Sequence, residues 1–163
     1  PRERNQSAVM LRWNHHFDGL GASLRTSYRY YDDSFDVKAH TTSAEWVQPL
    51  PRGWTIAPSI RYHTQSAARF YYDPVYDPLL GEPFPPGYLA DPAGFHSADH
   101  RLSAFGALTL GIKVSKVIAK DWNADFRYEI YEQRNTWRIG GTGSPGIAPF
   151  RARFMQVGVT HKF

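Results

Sequence analysis

Residues 122–131 read Trp-Asn-Ala-Asp-Phe-Arg-Tyr-Glu-Ile-Tyr, with an apolar or aromatic side chain at every second position. The polar positions between them are Asn123, Asp125, Arg127 and Glu129. A period of two indicates a β-strand with one apolar and one polar face, because a helix would repeat every 3.6 residues. This stretch therefore predicts an extended strand that separates two different environments.

The same alternation recurs along the chain, and turn signals such as Asp18-Gly19 separate its copies. The predicted strands cover about 9–17, 22–30, 36–48, 54–65, 101–113, 122–131 and 155–163. In the third, Trp46 and Val47 fall on opposite faces, and we expect a bulge there. No segment has helical periodicity, so the sequence predicts an all-β, antiparallel up-and-down fold of about seven strands.

Composition narrows the class of protein. The chain has 163 residues, of which 42% are hydrophobic, so it is too apolar for a disordered chain and has the length of one domain. It contains no cysteine, which excludes disulfides, zinc-thiolate sites and cysteine nucleophiles. The longest mostly apolar run is 102–112, too short for a membrane helix but long enough for a membrane-spanning strand.

Two architectures fit the alternation. In a soluble β-barrel that binds an apolar ligand, the apolar face is the core. In a transmembrane β-barrel, the apolar face meets lipid and the polar face lines the lumen. Loop lengths favour the second, because short turns alternate with long loops around 67–100 and 135–149. Aromatic residues at the strand ends also favour it, with Phe17, Trp54 and Trp122 at one end and Tyr28, Tyr30, Tyr62 and Tyr128 nearer the other.

The C-terminal residue, Phe163, follows alternating Val157 and Val159. This ending is similar to the signal that barrel-assembly machinery recognises in outer-membrane proteins. We therefore expect the strand ends that share the side of Phe163 to be periplasmic and the long loops to be extracellular. The expected surroundings are the lipid of a bacterial outer membrane.

The predicted polar face carries bulky charges in the middle of strands. The lumen-lining candidates are Arg25, Arg29, Arg61, His63, Asp125, Arg127 and Glu129. We expect His40 to share this face with His63, and the Asp125–Arg127–Glu129 trio to pair with Arg101 on the preceding strand. Two readings stay open, an ion-pair ladder that closes the interior and a basic conduit that favours anions.

Several segments carry a family resemblance: residues 45–50 followed by Trp54 and Pro58, residues 61–71, and residues 128–134 followed by Trp137. Together they resemble the C-terminal part of a bacterial outer-membrane barrel family known as domain of unknown function 3570. The resemblance implies a signal peptide and further strands upstream of 1–163, which would complete the odd number of strands counted here. It implies no assigned activity, and it hints at a periplasmic redox protein as a partner. The alternative to a solute conduit is therefore a non-conducting barrel that serves as a scaffold for an envelope redox partner.

No pattern in the chain predicts catalysis. His96, His100 and Asp99 would share a face only on a helix, and the Gly140–Gly143 run lacks the lysine and helix of a phosphate loop. Basic residues alternate along strands and do not cluster with exposed aromatics, which argues against nucleic acid. We therefore expect no enzyme activity, no metal and no cofactor.

Overall fold

The computed structural model describes residues 3–73 and 94–162, and these form one seven-stranded sheet in sequential order. Its strands are β1 (Gln6–Phe17), β2 (Ala22–Asp33), β3 (Lys38–Leu50), β4 (Trp54–Gln65), β5 (Phe105–Ala119), β6 (Trp122–Arg134) and β7 (Phe150–His161). Each strand pairs antiparallel with the next, so the predicted all-β up-and-down topology is confirmed. The sheet is open, with β1 and β7 at its two edges.

The helical structure in the described residues consists of three short 3-10 turns, Pro51–Gly53, His100–Leu102 and Asn135–Trp137. No helix in this part of the chain is long and apolar enough to cross a membrane. Phe163, the predicted assembly signal, lies outside the described residues.

The connections at the two ends of the sheet differ in length. At one end, which we call the turn end, residues 18–21, 51–53 and 120–121 join the strands. At the other, the loop end, residues 34–37, 66–104 and 135–149 join them. The length asymmetry expected from the sequence is therefore present, and it is sharper than expected because β5 continues to Ala119.

Two predicted details of the strands are wrong. The bulge expected near Trp46 is absent from the described pairing of β3, which keeps one register along both neighbours. A register shift occurs instead between Val117 and Ala119 of β5, next to the two-residue turn. β5 also begins at Phe105, so Arg101 belongs to a 3-10 turn and not to the sheet.

The register places most apolar stripes on one face of the sheet, although Phe150 and Phe154 of β7 and Met10 of β1 lie on the other face. Leu110 of β5, for example, lies opposite Ile60 of β4 and Ile130 of β6. This apolar face is exposed: Leu110, on a central strand, is 49% accessible, and Val157 of β7 is 77% accessible. Exposure of a central-strand leucine is not an edge effect, since both neighbouring strands are in place.

The opposite face is polar and concave. Arg12 of β1 and Glu129 of β6 line the same cavity, although strands five places apart in a flat sheet would be about 24 Å from each other. The sheet must therefore curl toward its polar face, as a twisted sheet does before it closes. The apolar side chains then cover the convex surface.

Buried side chains are few and small. Of the nine buried hydrophobic residues among those described, six are alanines. Larger rings pack at the loop end. There the Phe70 ring packs edge-to-face with the rings of Phe35 and Phe95, with 5.0 and 4.9 Å between ring centres. Most large apolar side chains thus lie on the convex surface and not in a core.

Candidate functional site

The concave face holds a cavity of about 420 Å³ in the middle of the sheet. Arg12, Arg25 and Arg61 line it together with Glu45 and Glu129. Arg25 Nη1 lies 3.2 Å from Glu45 Oε1, so one guanidinium is partly neutralised while the other two face the cavity. Hydroxyl groups fill the floor, where the Ser27 and Ser43 oxygens are 2.7 Å apart. The cavity is therefore a water-accessible polar chamber with more positive than negative groups.

Glu129 reaches this cavity because Gly111 lies beside it on β5. A Cβ atom at Gly111 would stand 2.6 Å from Ser59 Oγ and 3.2 Å from Glu129 Cγ. The missing side chain lets the glutamate extend across β5 toward β4. A residue with no side chain thus sets the position of a charged group in the site.

A second cavity of about 550 Å³ adjoins the first toward the loop end. Arg29, Arg61 and His63 line it beside the rings of Phe105 and Tyr131. His63 Nδ1 is 2.9 Å from Thr41 Oγ1, and His63 Nε2 is 3.3 Å from Gln65 Oε1. These contacts hold both nitrogens of the imidazole ring, so the His63 side chain has a fixed orientation in the wall of the cavity.

Asp125 and Arg127 share the polar face but line neither cavity. Asp125 lies 4.0 Å from Lys113 Nζ, and Arg127 Nη1 lies 3.7 Å from Glu129 Oε1. The structure therefore brings Arg25, Arg29, Arg61, His63 and Glu129 together and leaves the other two candidates nearer the turn end.

Two expected contacts of these residues are corrected. Arg101 does not pair with the Asp125–Arg127–Glu129 trio, because its Nη2 lies 2.6 Å from Asp99 Oδ2 in the loop before β5. His40 does not share a face with His63, because His63 lies opposite Thr41 and His40 opposite Thr64. The His40 ring instead hydrogen-bonds the Tyr28 hydroxyl on the convex face, at 2.7 Å.

Charge on the concave face is unbalanced. Away from Asp33, which Arg4 neutralises at the end of β2, its strands present six basic and three acidic side chains. They are Arg12, Arg25, Arg29, Arg61, Lys113 and Arg127 against Glu45, Asp125 and Glu129. A positive surplus on a concave polar surface attracts anions.

The loop end carries a separate set of polar contacts outside the strands. Hydrogen bonds from Arg101 lower the pKa of Asp99 to about 2, and burial raises the pKa of Tyr71 to about 12. Among residues 3–73 and 94–162, no three histidine, aspartate or glutamate side chains are grouped to hold a metal ion. These contacts lie in the loops and outside the strands.

Sequence reasoning missed Phe105 and Tyr131 as cavity walls. An aromatic side chain gives no sequence signal for the wall of a charged cavity, and Tyr131 lies at the very end of a predicted strand. Only the paired register of β4, β5 and β6 brings them beside His63 and Arg61. Counting residues back from the 120–121 turn does not give this register, because a shift lies between Val117 and Ala119.

These features define a class: an antiparallel sheet protein with an exposed apolar convex face and a basic, cavity-bearing concave face. The chain belongs to the family of proteins of unknown function DUF3570, whose model matches residues 1–154. No curated protein and no solved structure matches it.

Proposed function

We propose that these seven strands are part of an outer-membrane β-barrel that provides a conduit for small anionic solutes. The observation that carries this proposal is the broad exposed apolar surface on the convex side of the sheet, opposite a charged concave side. A soluble barrel that binds an apolar ligand needs the reverse arrangement, with the apolar side chains inside. Lipid is the surrounding that makes such a convex face favourable.

The dimensions of the apolar band agree with a bilayer. On β5 the band runs between Gly106 and Lys116, a rise of about 33 Å along the strand. At the usual tilt of about 40° this spans about 25 Å, the height of the apolar band of outer-membrane barrels. Strands of 12 to 15 residues also exceed the nine to eleven that a crossing needs.

Rings and polar groups border the band at both ends. At the turn end the ring centres of Phe17 and Trp46 are 5.2 Å apart, and the Trp122 ring packs on the His161 ring. At the same end Lys116 Nζ lies 5.0 Å from the centre of the Trp54 ring. At the loop end Tyr28 and Tyr30 contact His40, and the Tyr62 hydroxyl donates to the Trp137 carbonyl. Tyr128, expected in this second girdle, instead lies within the band between Ile112 and Met155.

The open edges support the view that this sheet is one part of a larger barrel. β1 and β7 each have an edge with no strand partner in the described sheet. Within a bilayer the backbone groups on such an edge need hydrogen-bond partners. We infer that further strands pair with both edges, and that barrel-assembly machinery recognises Phe163 during insertion.

The basic concave face favours an open conduit and argues against an interior that is closed by ion pairs. An ion-pair ladder would consume the charges, yet Arg12, Arg29 and Arg61 have no ion pair among the described residues. Cavities of about 420 and 550 Å³ leave room for solute beside them. Small anions are the solutes that this charge pattern attracts.

Orientation gives the first experiment. The described residues contain no cysteine, so single cysteines introduced at exposed Thr142 (loop end) and Lys120 (turn end) are selective labels. On intact cells producing the full-length protein, a membrane-impermeant maleimide is expected to label Thr142→Cys at once and Lys120→Cys only after permeabilisation, because long barrel loops are extracellular.

Equal labelling of both positions on intact cells would contradict the proposed membrane insertion. Labelling of Lys120→Cys alone would reverse the orientation. A native-cysteine-free parent protein, carried through the same reaction, is the control.

A further inference from the structure

An arginine cluster lies on the convex face at the loop end of β6 and β7. Glu132 is its centre and accepts hydrogen bonds from two arginines. Arg134 Nε is 2.6 Å from Glu132 Oε1, and Arg151 Nη2 and Nε are 2.6 and 3.1 Å from Glu132 Oε2. Arg153 follows two residues later on the same face of β7. We call Arg134, Glu132, Arg151 and Arg153 the guanidinium rim.

The rim keeps a positive surplus after its internal pairing. It holds three guanidinium groups and one carboxylate, and Arg153 is exposed with no ion pair among the described residues. The side chain of Glu132 is 16% accessible, whereas those of Arg134 and Arg151 are 42% and 59% accessible. The carboxylate thus holds two guanidiniums in place while their outer N–H groups stay available, since each guanidinium has five donors.

The rim borders the apolar band directly. Along β7, Arg153 is followed on the same face by Met155 and Val157, and on β6 it lies opposite Ile130. Residues two apart on a strand are separated by about 6.6 Å. The Arg153 side chain is therefore long enough to reach past Met155, the first apolar residue of the band on β7.

In the strand register Arg151 and Arg153 lie level with Leu108 and Leu110 of β5, so the apolar band ends closer to the turn end on β7 than on β5. The lipid phosphates would meet the edge of the band at this lower level on β7.

The rest of the same border is neutral or covered, and the covering segment carries one arginine, Arg138, that makes no ion pair among the described residues. Lys38 of β3 lies opposite Asp32 of β2, which balances its charge. On β4 and β5 the segment around Trp137 crosses the convex face, where its carbonyl would stand 2.1 Å from a Cβ at Gly106. Among the described strands, the positive surplus at this level is therefore confined to β6 and β7.

We propose that the guanidinium rim binds the phosphate of an anionic lipid headgroup. The inference rests on the proposed membrane position of the apolar face. The occupant is a lipid and not a free anion, because the basic groups and the apolar surface of Met155 and Val157 are contiguous and match a phosphate joined to acyl chains. Forked guanidiniums suit phosphate oxygens, which accept two N–H groups side by side.

The test is lipid binding to the full-length protein in detergent, measured by native mass spectrometry. Phosphatidylglycerol and phosphatidylethanolamine are titrated separately into the wild type and into Arg151→Gln/Arg153→Gln. Glutamine keeps a polar side chain but removes the charge and the guanidinium fork, and both substitutions leave Glu132 paired with Arg134. The matched control is Lys38→Gln/Lys116→Gln, which removes two charges that lie outside the rim, one from each border of the same apolar face.

The rim variant is expected to bind phosphatidylglycerol about thirty-fold more weakly than the wild type, because a basic residue at a membrane surface contributes about a factor of five. Phosphatidylethanolamine carries the same phosphodiester, but its ammonium group is repelled by the arginines, so its affinity should fall much less in the rim variant. The control should keep its phosphatidylglycerol affinity. Inorganic phosphate should not displace the lipid.

Equal phosphatidylglycerol affinity in the wild type and the rim variant would overturn the inference, and so would displacement by inorganic phosphate. If the wild type binds phosphatidylethanolamine as tightly as phosphatidylglycerol, the rim is not a site for anionic lipid, although the apolar face would still be in contact with lipid. A wild type that retains neither lipid overturns the rim and the proposed membrane function together.

Discussion

Val157→Arg should prevent most of the protein from assembling in the membrane, whereas Gln156→Arg should assemble normally. The two positions are neighbours on β7, and both are exposed in the structure. Val157 lies on the convex face and Gln156 on the concave face. An arginine that faces lipid near the bilayer midplane costs about 2–4 kcal/mol, equivalent to roughly a thirty- to thousand-fold loss in the insertion equilibrium.

The measurement is the amount of folded protein in the outer-membrane fraction, read from its heat-modifiable electrophoretic mobility. The pair of variants is informative because a water-soluble protein would tolerate arginine at both exposed positions. Equal assembly of both variants would contradict the lipid-facing assignment. Equal failure of both would mean that β7 is covered on its two faces.

Reversing two charges in the central cavity should change ion selectivity. Arg25→Glu/Arg61→Glu changes the charge of the concave face by four units, which turns a surplus of three positive charges into one negative charge. The wild type is therefore expected to conduct anions preferentially, and the double variant to lose or reverse that preference. The wild-type preference should weaken at high salt, because the screening length falls to about 3 Å at 1 M.

Reversal potential across a salt gradient in a planar bilayer measures this selectivity. Arg25→Lys/Arg61→Lys, which keeps both charges, is the matched control and should retain the wild-type sign. Cation selectivity in the wild type would contradict the basic conduit. Absence of conductance in correctly inserted protein would favour the alternative that the barrel anchors an envelope redox partner.

The period-two pattern was sufficient to predict the strands and most of the faces. On β6, Phe126 and Arg127 lie on the faces that alternation assigned, because an uninterrupted strand turns each successive side chain to the opposite side. On β3 the pattern was ambiguous, since Trp46 and Val47 are both apolar. There the pairing with β2 decides the faces, and it places Trp46 with Leu24 on the convex side.

Contacts between strands were harder to predict than the strands. The guanidinium rim requires Glu132 to lie opposite Arg151, and that register depends on where the 135–149 connection ends. Arg101 was misplaced for a similar reason, because the start of β5 is set by the packing of the loop and not by alternation. Loop conformation depends on contacts distant in sequence, such as Ser144 with Ala104, which no local pattern encodes.

The central claim is that lipid covers one face of these strands and water the other. Spin labels placed singly at positions 124–131 of β6, in the full-length protein in bilayers, test it most directly. Collisions with oxygen, which is soluble in lipid, should peak at Ala124, Phe126, Tyr128 and Ile130. Collisions with a water-soluble nickel complex should peak at the alternate positions, out of phase with oxygen. If the nickel complex reaches Phe126 and Tyr128 as readily as Arg127 and Glu129, the convex face is not in lipid and the account is wrong.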